Sequence, residues 1–318
     1  MNQTLPSTFP SYTSGTSSTP LLGMTIGEML DRTAAKYPDT EALVCLHQDI
    51  RWTYKEFLAK VNEAARAFLA IGVKRGDRVG IWAPNRYEWT VTQFATAKIG
   101  AILVNINPAY GMHELEYAMN LSGISVLVSA DSFKASDYRK TLYDLAPELK
   151  TCTPGKIKAQ RLSELRAVIN LDTEKHAGMW SWNEFTGFAN DVSQDDVNKV
   201  QSQLQFDDPI NIQFTSGTTG NPKGIAHDHL FRYRQMARFG GYGFEADAVT
   251  LVSTPIYSNT TLSAMLPALA RGGRIILMRK FDETGFLRLA QDQRVTHAML
   301  VPVQYRRLLA HPQFDSYD

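Results

Sequence analysis

The chain has 318 residues with Lys plus Arg at 33 and Asp plus Glu at 32, so no global field is available to hold nucleic acid or an anionic membrane. Hydrophobic residues at 44% and charged residues at 20% fit a folded globular chain and exclude the disordered, collagenous and low-complexity classes. The longest apolar runs, such as 101–104 and 275–278, fall far short of the roughly 18 residues that cross a bilayer. Two cysteines, Cys45 and Cys152, supply neither a disulfide framework nor a CxxC site, and a cytoplasmic setting is expected.

Residues 1–23 are rich in Ser, Thr and Pro and cannot bury enough apolar surface to offset their ordering entropy, so a mobile arm is expected there. It has neither the Arg-rich amphipathic character of a transit peptide nor the apolar core of a secretory signal. After it, short β-rich runs alternate with helical-period segments. That pattern of βαβ units predicts an α/β fold of layered αβ halves with mixed, mostly parallel sheets. Strands are expected at 41–46, 78–82, 101–105, 126–129, 167–170, 211–215, 249–253, 274–278 and 297–300. A helix over 55–69 places Phe57, Leu58, Val61, Ala64, Ala65, Phe68 and Leu69 on one stripe, with Gly72 positioned to stop it. The polar stretch 151–205, punctuated by Pro154, Gly155 and Gly178, reads as a connector broken by one short strand. It divides the chain into a first αβ subdomain at 24–205 and a second, incomplete one at 206–318. No period of 20 to 50 residues recurs, which argues against a solenoid or propeller.

The segment 211–229 reads NIQFTSGTTGNPKGIAHDH: a β-rich run, a Thr/Ser/Gly loop, then an amphipathic stretch expected to be helical. Gly217, Gly220 and Gly224 allow positive φ and close approach of backbone N–H groups to an anion. Thr215, Ser216, Thr218 and Thr219 add hydroxyl donors, and Asn221 and Pro222 lead into Lys223, a compact positive charge. A helix starting after the loop would turn its positive end toward the same site. These features favour a polyphosphate. The loop is not a Walker motif, because GxxxxGK[ST] needs Ser or Thr after the lysine and Gly224 stands there. A plain Gly/Thr-rich turn joining strand to helix has the same composition.

The string TSGTTGNPKG resembles the phosphate-binding signature of the adenylate-forming (AMP-binding) superfamily of acyl-CoA synthetases, adenylation domains and luciferases. RWTYKEF resembles the early TYxEL motif of that family, and LAIGVKRGDRVGIWAPNRYEW and TAKIGAILVNINPAY resemble its next two blocks. TPLLGMTIGEMLDR, NINPAY and DDPINIQFTSGTTG are most similar to medium-chain and broad-specificity fatty-acyl-CoA synthetases. The resemblance implies the large N-terminal domain of such an enzyme, with Thr215 through Lys223 holding the ATP phosphates. It also implies a two-step reaction in which a fatty or other small carboxylic acid attacks the α-phosphate. Coenzyme A then displaces AMP, and Mg²⁺ accompanies ATP.

Pro255, Ile256 and Tyr257 match the family block that borders the acyl pocket, but Ser258 stands where His is common. The same resemblance makes Tyr257, Ser258, Asn259 and Met265 candidates for that pocket, although a stripe such as Leu262, Met265 and Leu266 also suits a plain core. A second departure, IAHDHLFRYRQ after Gly224, sets the region apart from the usual A-x-x-S/T-H pattern. His227 and His229 form an HxH pair without a Cys or acidic cluster at zinc-site spacing, and no metal site is expected. His297 reads as core or pocket wall, and Arg232, Arg234, Arg306 and Arg307 as a solvated face. The YGxTE motif, the ribose-binding S/T-G-D motif and the C-terminal catalytic lysine of the family do not occur before Asp318. The chain is therefore expected to be an N-terminal part with no catalytic residue assigned. A non-catalytic nucleotide- or acyl-binding module, and an adenylation or aryl-CoA ligase domain with another acid or acceptor, are the alternatives.

Overall fold

A computed structural model describes residues 23–172, 174–215 and 222–317, apart from the side chains of 237–240. The expected arm, except Gly23, lies outside the described residues. The strands are β1 (Glu41–Cys45), β2 (Ile50–Thr53), β3 (Arg78–Trp82), β4 (Ile102–Asn105), β5 (Ile124–Ser129), β6 (Ser132–Phe133), β7 (Ser136–Asp137), β8 (Ala167–Asn170), β9 (Trp180–Ser181), β10 (Pro209–Thr215), β11 (Lys223–Asp228), β12 (Val249–Val252), β13 (Arg274–Leu277) and β14 (His297–Ala298). The helices are α1 (Ile26–Lys36), α2 (Tyr54–Ala70), α3 (Tyr87–Lys98), α4 (Met112–Ser122), α5 (Tyr138–Leu145), α6 (Trp182–Gly187), α7 (Gln194–Gln201), α8 (His229–Arg238), α9 (Asn259–Arg271), α10 (Glu283–Asp292) and α11 (Pro302–Leu309).

A seven-stranded sheet runs β11-β10-β4-β3-β5-β8-β9, and a five-stranded sheet runs β14-β12-β13-β1-β2. Neighbours are parallel throughout, except at one edge of each sheet, where β10–β11 and β1–β2 pair antiparallel. The central parallel strands are apolar on both faces, as expected where helices cover both sides. Val79, Ile81, Leu103, Val104, Val126, Leu127, Val168 and Ile169 are all fully buried. This is the mixed, mostly parallel α/β architecture expected from the sequence.

The sheets do not divide the chain at residue 206. β1 and β2 join β12, β13 and β14 in the five-stranded sheet, while β10 and β11 extend the seven-stranded one. The RWTYKEF stretch carries the local reason. Thr53 and Glu56 cap α2 reciprocally, Glu56 accepting from the Thr53 N–H at 2.8 Å. The Tyr54 hydroxyl then donates to the Gly273 carbonyl at 2.6 Å, with the Leu269 carbonyl at 3.1 Å, fixing α2 to the turn between α9 and β13. Helix α2 buries Phe57, Val61, Ala64, Ala65 and Phe68 as the stripe predicts, and Gly72 at φ +80° follows its end.

The stretch 151–205 is more ordered than a connector. β8 pairs with β5 and β9 with β8, and α6 and α7 are opened by capping boxes at Ser181/Glu184 and Ser193/Asp196. Those S-x-x-E and S-x-x-D spacings were readable signals that the Pro/Gly punctuation obscured. No described helix is long and apolar enough to cross a membrane.

Candidate functional site

An open cavity of about 1120 Å³ lies against the β10–β11 edge. The hairpin contributes Gln213, Phe214, Thr215, Pro222, Ile225 and His227. Tyr110 and the helix α4 residues His113, Glu114, Glu116 and Tyr117 also line it, as do Tyr257, Ser258 and Asn259 at the N-terminal end of α9. That end is held from behind. Asn85 donates from Nδ2 to the Thr254 carbonyl and accepts from the Ile256 N–H, both at 2.9 Å. The Thr261 hydroxyl reaches the Pro255 carbonyl at 2.7 Å, and Ser258 accepts from the Thr260 N–H to cap α9.

Of the expected phosphate loop, Thr215, Pro222 and Lys223 are described, whereas Ser216, Gly217, Thr218, Thr219, Gly220 and Asn221 lie outside the described residues. Thr215 and Pro222 are on the cavity wall, and Lys223 is exposed opposite Thr215 in the antiparallel ladder. The expected helix directly after the loop is instead β11. Gly224 pairs with Phe214, does not take positive φ, and a Cβ there would stand 3.2 Å from Ile212 Cγ2. Pairing with β10 satisfies the backbone of an exposed Lys-Gly-Ile-Ala run that has little helical drive of its own. Helix α8 starts only at His229, where Asp228 accepts from the Phe231 N–H at 2.6 Å, so its dipole is not the loop's anion donor.

Tyr257, Ser258 and Asn259 do meet at the cavity. Met265 does not: it is fully buried with Leu262 and Leu266 in the main core, because only the first turn of α9 reaches the cavity. The two histidines part. His227 lines the cavity stacked on Phe231, with ring centroids 4.2 Å apart, and its pKa is pushed down to about 4 by desolvation and by the charge of Arg232, Asp228 opposing. His229 is buried and accepts the Ile26 N–H on Nδ1 at 3.1 Å, and burial likewise pushes it down to about 4. His297 stacks on Phe244 and bonds the Tyr242 carbonyl, away from this cavity.

Arg234, Arg306 and Arg307 are exposed, as a solvated face requires, but Arg232 is fully buried. Its guanidinium lies over the Phe231 ring at 5.3 Å, and its hydrogen bonds go only to amides. Nε donates to Asn211 Oδ1 (3.0 Å), Nη2 to Gln213 Oε1 (2.8 Å), and Nη1 to Asn259 Oδ1 (2.6 Å) and Gln235 Oε1 (3.1 Å). No carboxylate among the described residues pairs with it, and desolvation pushes its pKa down to about 9. The sequence reading missed this residue. Three of its four partners lie 19 to 27 residues away on β10 and α9, beyond any local pattern, and only Gln235 is a neighbour, three residues on in α8.

The Thr215 and Ser258 hydroxyls on the wall, Lys223 next to Pro222 and Arg232 behind Gln213 and Asn259 suit an anionic ligand with an apolar or aromatic body on that part of the wall, while Glu114 and Glu116 make the α4 part negative. Among the described residues no group of three or more His, Cys, Asp or Glu could hold a metal ion.

A protein-family model described as AMP-binding enzyme matches residues 30–318. A medium-chain acyl-CoA ligase ACSF2, mitochondrial, of Danio rerio is 35% identical, over 99% of this chain and 52% of its own length. A putative acyl-CoA synthetase YngI of Bacillus subtilis (strain 168) is 33% identical, over 94% of this chain and 55% of its own. The chain thus spans about half the length of the curated relatives it matches. Among solved structures, the inhibitor-bound N-terminal domain of FACL13 from Mycobacterium tuberculosis superposes with a TM-score of 0.78 at 24% identity, covering 92% of this chain and 67% of that one. ATP-bound MatB from Rhodopseudomonas palustris gives 0.71 at 26% identity, covering 91% of this chain and 52% of that one. With the match running through nearly the whole chain, this protein belongs to the AMP-binding enzyme family.

Proposed function

We propose that this chain serves ATP-dependent activation of a carboxylic acid, a medium-chain fatty acid being the first candidate, through an acyl adenylate that is passed to coenzyme A. The observation that carries the reading is the meeting of Thr215 and Pro222, the two described ends of the glycine-rich loop, with Tyr257, Ser258 and Asn259 around one cavity. The printed names of the relatives, medium-chain acyl-CoA ligase and acyl-CoA synthetase, support the choice of acid and acceptor.

In this reading the loop from Thr215 to Lys223 binds the phosphates of ATP, and Lys223 lowers the repulsion between an anionic acid and the polyanion it attacks. The acid lies between the hairpin and Tyr257, with Tyr110, Phe214 and Ile225 as apolar wall. Mg²⁺ accompanying ATP would take its ligands chiefly from phosphate oxygens and water, because the small ion sheds its hydration reluctantly.

The test is acid-dependent exchange of pyrophosphate into ATP by the enzyme containing this chain, with octanoate as substrate. Lys223→Ala is expected to reduce it by about one to two orders of magnitude, the weight of a charge-assisted bond to phosphate. Unchanged exchange in that variant sinks the loop assignment. Absence of exchange with every acid tried, alongside retained nucleotide binding, would favour a non-catalytic binding module.

A further inference from the structure

Burying a guanidinium without a counter-charge is costly, and a protein keeps one where its charge or its donors act on something else. Arg232 is such a group. It is fully enclosed, yet two of the four amides that hold it, Gln213 and Asn259, are themselves on the cavity wall.

The consequence is a fixed polarity. Arg232 draws the carbonyl oxygens of both amides away from the cavity and onto itself. Asn259 Oδ1 is taken twice, by Arg232 and by Gln235 Nε2 at 3.1 Å, so the group that Asn259 has left for a ligand is its NH₂. Gln213 is locked in the same sense, one of its two Nε2 hydrogens going at 2.7 Å to the carbonyl of Tyr257 and one remaining for a ligand. Behind them the cage continues through Asn211 Nδ2 to Gln93 Oε1 at 3.0 Å, and through Gln235 Nε2 to Ser263 Oγ at 3.2 Å, so neither amide turns over without breaking a chain of bonds. The charge is also felt at the wall, since it is one of the causes that depress His227.

We propose that Arg232 is a positioning residue that turns the amides of Gln213 and Asn259 so that the cavity offers N–H donors and a positive potential to the carboxylate of the acid. This rests on reading the cavity as the acid site. It assigns the carboxylate end of that site to a buried cation acting through two amides, at a place where Ser258 brings no charge of its own.

The test compares octanoate with the uncharged, nearly isosteric octanamide, using calorimetric binding to the 318-residue chain, in wild type, Arg232→Met and Arg232→Lys. Wild type is expected to prefer octanoate by about tenfold or more, as one charge-assisted contact gives. Arg232→Met loses that preference while binding octanamide within about twofold of wild type. Arg232→Lys, which keeps the charge but cannot span four amides, retains a preference of several-fold. In parallel, NMR titration of His227 rises toward the ordinary histidine value in Arg232→Met and stays depressed in Arg232→Lys, with Asp228 unchanged as the opposing charge. A purely structural role would move neither the ratio nor the titration in that order. If wild type prefers octanoate and Arg232→Met keeps that preference, the inference is overturned while the acid site stands. Equal loss of preference in both variants overturns it as well, which keeps the proposal refutable should Arg232→Met fold poorly. If wild type binds neither compound, the acid-site reading and the inference fall together.

Discussion

Two arginines are handled in opposite ways, Arg86, whose side chain is 16% exposed, and Arg232, which is fully buried. Arg86, just ahead of α3, meets carboxylates: it pairs with Glu88 at 3.0 Å and Asp172 at 3.1 Å and also donates to the Leu171 carbonyl. Those charges outweigh the effect of burial and hold its pKa above the ordinary value. Arg232 hydrogen-bonds only amides, beside the Phe231 ring, and burial drives its pKa down. The first cation is neutralised where it sits and its work is to join the end of β3 to the end of β8. The second keeps its charge, and the place where that charge can act is the adjoining cavity. Arg232 is also the more deeply buried of the two, and it is the partner set, carboxylates for Arg86 and amides for Arg232, that decides whether the charge is cancelled where it sits.

The comparison can be broken most readily at Arg86. Arg86→Met should leave Glu88, which is 2% exposed, as a buried carboxylate without a cation, held by the neutral donors Gln48 Nε2 and the Tyr87 hydroxyl. A loss of about 3–5 kcal/mol in urea unfolding is expected, and a loss below about 1 kcal/mol would refute the structural role.

Next in size is a pH effect beside the Arg232 cage. His229 is depressed to about 4 in the fold, chiefly by burial, with Asp208, Asp228 and Glu28 opposing. Between about 6.5 and 4 the unfolded chain binds a proton that the folded chain refuses, so stability is lost as pH falls through that window and not above it. The loss is up to about 3 kcal/mol. His229→Asn, which keeps an acceptor for the Ile26 N–H, should flatten the fall in unfolding midpoint between pH 7 and 4.5, and an unaltered slope would exclude His229 as its source.

Arg232→Met should cost less stability than Arg86→Met, at most about 2 kcal/mol. It strands amide oxygens but removes an uncompensated buried charge. A larger loss than at Arg86 would reverse the comparison. Smallest of all is Arg307→Ala at the exposed pair with Glu283, where solvent competes for both partners. Its unfolding midpoint is expected to match wild type within error.

Much of the frame was legible. All nine expected strands correspond to observed ones, because buried parallel strands carry continuous β-branched runs that no other element explains as well. Helix α2 followed from one stripe and a trailing glycine. The strands that escaped, β2, β6, β7, β9 and β11, are short or lie at edges, where half the side chains face solvent and the pattern fades. β11 escaped for a further reason: KGIAHD has no alternation of its own and becomes a strand by pairing with β10. At the site, Tyr257, Ser258 and Asn259 line one cavity while Met265 lies in the core, because a helical stripe does not say which turn reaches a cavity.

By itself the sequence determined the α/β class, the order of the main strands and the family likeness of the glycine-rich loop. Those depend on local period, composition and contiguous motifs. Only the tertiary structure decided that the five-stranded sheet is built from both ends of the described chain, that His227 and His229 face different neighbours, and that Arg232 is enclosed by Asn211, Gln213, Gln235 and Asn259. The physical reason is one of range. A period or motif is held by neighbours along the chain, whereas the state of a charge is set by whatever the fold brings within about 3 Å of it.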